Sequence, residues 1–420
     1  MTTSHRRSAT GPPRPTPPAF PPPAPPAVPR PINPAARLDV STVRELHDAV
    51  RGCLRLRSGL DPGWTWSGHA EREFLRAARG HHVSGLIAPH AAELGMPPGL
   101  REDISRNADR VALKSLAHAG LLRQVHERLD AAGIPVLFFK GLAVEAQTGR
   151  PLGERGGGDI DVWVPPDHVE AAMEALRPEW TLPANYPQPG ASWAWRHWQR
   201  WGSELPLHGP ISVDLHWQLH GVRANLPDFA AARAAREEVV VGGRVLPTLG
   251  RAHALAHAVR HAETDRWRVL RSLVDVHLLL CPTAGATASA LTVPNRTVAV
   301  VERAIGLPLR RTARPLSTRE WAAVLEEQRH LGPHVDRIGR LSRPAYLRRL
   351  VDRRRGPGRH LMRDSLALLW FLAVAPPHAS GTITTTSPVR GTGQAIARRF
   401  SYERDRAGRP DPAPVPGGRE

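Results

Sequence analysis

Two alternating segments, Asp159–Val164 and Ile211–Leu219, restrict the fold of this chain more than any other feature. In the first, Ile160, Val162 and Val164 alternate with Asp159, Asp161 and Trp163. In the second, Ile211, Val213, Leu215, Trp217 and Leu219 alternate with Ser212, Asp214, His216 and Gln218. A period of two places each set on one face of a strand, so both segments are expected to bury an aliphatic face and turn carboxylates to the other. Asp159 and Asp161 then stand side by side, where two negative charges repel unless a cation is supplied. Hard oxygen ligands of this kind suit Mg²⁺, which takes one or two carboxylates together with water and substrate phosphates. A bare Asp-x-Asp is a weak signal, because charged residues are mostly just exposed. Asp214 strengthens it, since two neighbouring strands would bring all three carboxylates to one cluster. A routine surface Asp is the plain alternative for Asp214 at this level.

Further motifs surround these strands in a definite order. A long helix ends at Gly133, "GIPVLFFKG" follows, Arg155 stands four residues ahead of "DIDVWV", and "VDLHW" comes about fifty residues on. Later comes "HALAHAVRHAETDRWRVLRSLVDVHLLL", a His-bearing helix followed by Leu-Val-Asp. Together these resemble the uncharacterised bacterial nucleotidyltransferases of the DNA polymerase beta-like superfamily, over roughly residues 100–285. The resemblance implies an α/β (α+β) fold, a small mixed-sheet nucleotidyltransferase core embedded in helical N- and C-terminal regions. It implies that Asp159, Asp161 and Asp214 are the catalytic, metal-binding residues; two-metal phosphoryl-transfer chemistry then suggests Asp161 as the bridging ligand, Asp159 on the nucleotide metal and Asp214 on the metal that activates the acceptor. It places Lys140, Gly141 and Arg155 beside the nucleotide phosphates, and His257 and His261 on a helix lining the site. The cofactor implied is Mg²⁺ or Mn²⁺ and the co-substrate an NTP, with ATP expected. The sequence departs from the superfamily pattern in one respect. Where Gly-Ser or Gly-Gly usually stands about ten residues before the acidic pair, this chain has Gly141-Leu142, with Gly141 eighteen positions before Asp159.

The expected reaction moves a nucleoside monophosphate from an NTP to an unidentified acceptor: a small molecule, peptide, protein or RNA. A reading from another class is a catalytically inactive basic binding protein on the same fold, holding RNA or a partner protein. The formal charge of +18 invites nucleic acid. The arginines are scattered, however, and lack the interleaved aromatics of a single-strand platform, so nucleic acid is not the favoured partner. Lys114 and Lys140 are the chain's two lysines among 57 basic residues. A lysine retained against such an arginine bias fits a need for a compact ammonium at Lys140, although Lys114 is retained as well. Cys53 and Cys281 are far apart and outside any Cys-x-x-Cys spacing, which together with the lack of a signal-peptide pattern points to a cytoplasmic setting. The apolar run Leu366–Ala375 is too short to cross a membrane.

The organisation expected along the chain is a disordered Pro-rich tail (1–37), a helical region (38–133), the catalytic core (134–220), a helical region lining the site (221–290), a C-terminal helical region (291–400) and a disordered tail (401–420). Within it, Thr42 and Glu45 read as a capping box, and Asp167 with Glu170 as the cap of a helix after the acidic strand. His253, His257 and His261 recur every four residues on one helix face, which permits a zinc pair, a phosphate-facing role or core packing. Trp193, Trp195, Trp198 and Trp201 read as core or interface, or as a surface stacking a base or acceptor.

Overall fold

The computed structural model describes residues 37–331 apart from 69, 184–185, 187, 191–194, 196–198, 200–201, 220–225, 282–294 and 307–313. The expectations for the N-terminal tail, for the chain beyond 331, and for Trp193, Trp198 and Trp201 lie outside the described residues. A mixed six-stranded sheet carries the site, as the α/β reading expects. Its strands are β1 (Leu137–Phe139), β2 (Asp159–Trp163), β3 (Glu204–Leu207), β4 (Ser212–His216), β5 (Glu237–Val241) and β6 (Arg244–Thr248), in the order β3-β4-β2-β1-β6-β5. The two acidic segments are parallel neighbours, with Asp161 opposite Asp214 and Ile160 opposite Val213. β1 runs antiparallel to β2 and sets Phe139 opposite Asp161.

Because opposed residues share a face, the sheet sorts its side chains into two layers. Phe138, Ile160, Val162, Val213 and Leu215 face one core, covered by the second half of the 34-residue helix α4 (Pro98–Ala131) and by α6 (Val169–Leu176). At 1.5 Å per residue α4 runs about 50 Å, so its first half, through Leu100 and Ile104, reaches the other core. That second core gathers α1 (Val40–Arg57), α2 (Glu71–Gly80), α3 (Ser84–Ile87), α8 (Arg251–Thr264), α9 (Leu270–Leu280), α10 (Asn295–Ile305) and α11 (Thr318–Gln328) around Leu137, Phe139 and Trp163. Two further short helices are α5 (Gly141–Gln147) and α7 (Phe229–Ala234).

Three local expectations need correction. The capping box does not form: α1 begins at Val40, and Thr42 and Glu45 are buried inside it. Glu45 accepts a hydrogen bond from the Ser67 hydroxyl instead of turning back to a helix start. Nor do Asp167 and Glu170 cap α6, because Asp167 pairs with His168 and Glu170 accepts the Trp195 indole N–H. Finally, the stretch after 221 is not wholly helical, since β5 and β6 form a hairpin there and extend the sheet. Its signal is the run Val239-Val240-Val241 before Gly242-Gly243, both at positive φ (55° and 78°), as a tight hairpin turn requires. The His periodicity downstream masked it.

Candidate active site

β2 and β4 deliver the carboxylates. Asp161 is buried, Asp214 half-buried and Asp159 exposed at the strand's start. Ligand atoms of Asp161, Asp214 and His216 all lie within 4.8 Å of one another, a spacing one cation can span. Asp159 stands outside that tight group but acts on both other aspartates electrostatically. Burial, reinforced by Asp159, Asp161 and Glu204, pushes the Asp214 carboxyl up to about 8. Burial and Asp161 likewise raise Asp159. Asp161 moves the other way: burial alone would raise it, but Lys140 and His216 outweigh burial and hold it ionised.

Lys140 Nζ lies 2.7 Å from Asp161 Oδ1, and His216 Nε2 lies 3.1 Å from the same oxygen. Both contacts end on Oδ1, so Oδ2 remains open toward a further ligand among the described residues. His216 Nδ1 in turn lies 3.1 Å from Glu204 Oε2, which makes Glu204, His216 and Asp161 a row across three strands. Sequence reading placed His216 on the polar face of its strand and gave it no role. Its position two residues beyond Asp214, hence on the same face, was the available signal.

Lys140 is held in an unusual backbone conformation, φ 56° and ψ −155°, between β1 and α5. For a non-glycine residue this costs about 1–3 kcal/mol and persists only where the surroundings enforce it. Here it turns the chain sharply, so that the ammonium reaches Asp161 while the amides of the first turn of α5 open beside the carboxylates. Burial would lower the Lys140 pKa, but Asp161, Glu204 and Asp159 outweigh it and keep the ammonium charged.

The loop from 150 to 158 is fixed from below by Glu145. Its carboxylate accepts the backbone N–H groups of Gly153 (2.7 Å), Arg155 (2.7 Å) and Gly156 (3.3 Å). Gly153 has φ +93°, and a Cβ built there would stand 2.4 Å from the Ala112 Cα on α4. Gly153→Ala must therefore move backbone as well as adopt a disfavoured φ. We expect it to cost about 2–4 kcal/mol, read as a lowered denaturation midpoint with an unchanged m-value.

Arg155 sits on this loop with its guanidinium bound to Asp275 of α9: Nε lies 3.0 Å from both carboxylate oxygens and Nη2 2.9 Å from Oδ2. Arg150 Nη2 reaches the same carboxylate at 2.7 Å. Burial works against the charge of Asp275, but the two arginines hold its pKa down at about 2. Arg155 also lines a cleft with Phe139, Lys140, His257 and His261. His257 is buried, edge-on to Phe139 with centroids 5.1 Å apart, and stacks on His261 at 6.1 Å. Burial and the Lys140 charge push the His257 imidazole well down, so it is neutral. The groups brought within metal-binding distance include neither of these histidines. His261 pairs with Asp265 at 3.4 Å. Of the tryptophan cluster, Trp195 is fully buried in the core behind the sheet, which settles it as packing.

The donor set fits a hard divalent cation. Asp159 and Asp214, both with raised pKa values, are short of positive charge, and an ion held by Asp161 and Asp214 would supply it. Among the described residues no helix is long and apolar enough to cross a membrane.

A sequence profile of the family described as "Uncharacterised nucleotidyltransferase" matches residues 68–293, more than half of the chain. No curated protein matches. Among solved structures, the antibiotic-resistance factor ANT(2'')-Ia is 16% identical, with 51% of this chain and 97% of that one covered at a TM-score of 0.29. The lincosamide antibiotic adenylyltransferase LnuA, bound to lincomycin, is 15% identical over 38% and 93%, at 0.27. An antigenic nucleotidyltransferase-like protein from Paracoccidioides brasiliensis is 10% identical over 51% and 93%, at 0.29.

Proposed function

Because the chain belongs to the uncharacterised nucleotidyltransferase family, we propose that it transfers a nucleoside monophosphate from an NTP, ATP being the first to test, to a hydroxyl of an acceptor molecule. The observation that carries this reading is the pairing of Asp161 with Asp214 on adjacent parallel strands, next to the ammonium of Lys140. In the reaction an acceptor oxygen bonds to the α-phosphorus, and the bond from that phosphorus to the α–β bridging oxygen breaks. Pyrophosphate leaves with the electron pair and the acceptor proton passes to solvent.

Asp161 and Asp214, with Asp159 at the mouth, would hold Mg²⁺ or Mn²⁺, which supplies Lewis-acid charge to the attacking and leaving oxygens. Lys140 keeps Asp161 ionised and fixes its orientation from one side, and His216 does so from the other. The first turn of α5 presents backbone N–H groups beside the carboxylates, an environment that favours phosphate oxygens. His257, neutral and packed on Phe139, contributes shape and a hydrogen-bonding edge to the cleft wall.

Titration calorimetry with each NTP, at millimolar Mg²⁺ or Mn²⁺, tests the reading. Binding that depends on the metal, followed by pyrophosphate release when a cell extract supplies the acceptor, is the expected result. No binding of any NTP would overturn it. Binding without pyrophosphate release under any extract would favour a catalytically inactive binding protein, a reading that leaves the three filled acidic positions without a purpose.

A pH dependence follows from Asp214. Its carboxyl is raised from 3.8 to about 8 in the folded chain. Its contribution to stability is therefore complete below pH 4 and is lost as pH rises through about 8. A divalent ion binds the deprotonated form, so its stabilising effect grows over the same range. At a metal concentration ten times its Kd the gain is about 1.4 kcal/mol, a Tm rise of roughly 3–6 °C. Scanning calorimetry with and without Mn²⁺ should show that rise near pH 8.5 and little of it near pH 6. An equal rise at both values would contradict the assignment of Asp214 as a ligand.

A further inference from the structure

The cations around the acidic cluster are not equivalent. Lys140 is taken up by Asp161, and Arg150 and Arg155 by Asp275. Lys114 on α4 and Arg271 on α9 have no acidic side chain within ion-pair distance among the described residues. Arg271 makes one long hydrogen bond, from Nη1 to the Gly156 carbonyl at 3.4 Å, while its Nε is buried without a hydrogen-bond partner. Lys114 is exposed on the α4 face that also carries Val111 and His118, since residues three and four apart on a helix are neighbours. Val111 meets Gly156, where a Cβ would stand 2.6 Å from Val111 Cγ1. His118 lines the small cleft that also contains Lys140, Gly141, Asp159 and Asp161. Arg271 thus reaches Gly156 directly, and Lys114 stands one helical turn beyond Val111, which packs on Gly156, at the start of the segment that leads into Asp159.

The surface between them is bare. A Cβ at Gly158 would meet nothing within 4 Å, and one at Gly157 only Gly141 Cα and the Asp159 carbonyl, at 3.8 and 3.9 Å. A polyanion can therefore lie along the glycine backbone with the carboxylate cluster at one end. The local field agrees. Burial, then Arg271, Arg155, Arg268 and Lys114, push the His82 imidazole down to about 4, so Lys114 and Arg271 act on one point in space. Of these cations Arg155 is held by Asp275, and Asp275 and Asp159 also act on Arg271, but Lys114 and Arg271 keep no ion-pair partner among the described residues and so favour an anion beside them.

We propose that Lys114 and Arg271 form a clamp over Gly156–Gly158 for the β- and γ-phosphates of the nucleoside triphosphate, neutralising pyrophosphate as it leaves. The clamp rests on the nucleotidyltransferase reading above, and it gives a role to both of the chain's lysines. Lys140 orders the metal-binding carboxylate, while Lys114 and Arg271 take the leaving group. The guanidinium fork suits two phosphate oxygens and the ammonium acts as a point charge.

The test compares ATP, AMP and inorganic pyrophosphate binding, with Mn²⁺, to wild type, Lys114→Gln and Arg271→Gln. Lys114→Gln should weaken ATP and pyrophosphate about 3- to 10-fold and Arg271→Gln about 10- to 100-fold, with AMP affinity unchanged in both. Unchanged ATP affinity in both variants, or an equal loss for ATP and AMP, would overturn the clamp. Should Arg271→Gln prove unfolded by circular dichroism, the exposed Lys114→Gln decides on the same criterion. If wild type binds no nucleotide, the nucleotidyltransferase reading fails first. Pyrophosphate then judges the cation pair alone: weaker binding to Lys114→Gln supports it, and equal or absent binding refutes it.

Discussion

Asp161→Asn should lower nucleotidyl transfer on the order of 10³-fold, equivalent to about 4 kcal/mol of transition-state stabilisation, while leaving the protein folded. The two halves of that expectation have separate causes. Asparagine keeps the shape of the side chain and one carbonyl oxygen, so Lys140 and His216 retain an acceptor where they now meet Oδ1. What it removes is the charge. Lys140 is partly exposed, with 22% of its side chain open to solvent, so water screens much of the loss on that side. On the other side, Asp214 and Asp159 are relieved of a negative neighbour that now raises both their pKa values. These opposing changes leave a net stability cost of about 1–2 kcal/mol. A metal site cannot absorb the change in the same way, because the amide offers a neutral, weaker oxygen at the most buried of the three positions. The check is single-turnover pyrophosphate release at a temperature well below the variant's Tm, beside metal titration of the same sample. Activity within tenfold of wild type would remove Asp161 from the catalytic centre.

How far the sequence foretold this arrangement depended on the range of the interaction. Strand alternation is local and periodic, so Asp159–Val164 and Ile211–Leu219 were legible, as was the placement of their acids on one face. That the strands are parallel neighbours was conditional until the sheet showed Asp161 beside Asp214. The side chains that brace the site were not legible, because they act across long separations without periodicity. Glu145 binds loop amides up to eleven residues away, and Asp275 meets arginines 120 and 125 residues away. Arg155, placed by resemblance beside phosphates, lines the cleft with its guanidinium engaged by Asp275, a contact that no pattern around "GERGGGDID" announces. The β5–β6 hairpin is hidden for a different reason: its Val run and Gly pair are a clear local signal, but the helical spacing of the histidines that follow dominates the pattern of the whole stretch.

Asp275→Ala should have the largest effect on stability of any single change near the site. The carboxylate is buried, and so are its partners, with 1% of the Arg150 side chain and 8% of the Arg155 side chain exposed. Removing it strands two guanidinium groups that water cannot reach, and breaking one such buried pair costs about 3–5 kcal/mol. Because the stability of a whole domain is about 5–15 kcal/mol, the variant should lose roughly 10–20 °C in Tm or fail to accumulate in folded form. The loss should also be partly reversible from the other side. Arg150→Met, in the Asp275→Ala background, removes one stranded charge and replaces it with an apolar side chain of similar length, so the double variant should be more stable than Asp275→Ala alone. In a double-mutant cycle this appears as a coupling of about 1–3 kcal/mol; additive losses would mean that Arg150 does not depend on Asp275. Acid should reproduce the effect in wild type. The Asp275 pKa is depressed from 3.8 to about 2, so its stabilisation is present above pH 4 and disappears as pH falls through about 2. The consequence reaches the candidate active site because α9 carries Asp275 and Arg271 one turn apart, while Arg155 and Gly156 sit on the loop that ends at Asp159. The ion triad therefore ties the helix to the loop, and slackening it should loosen nucleotide binding at temperatures where the rest of the sheet is still intact.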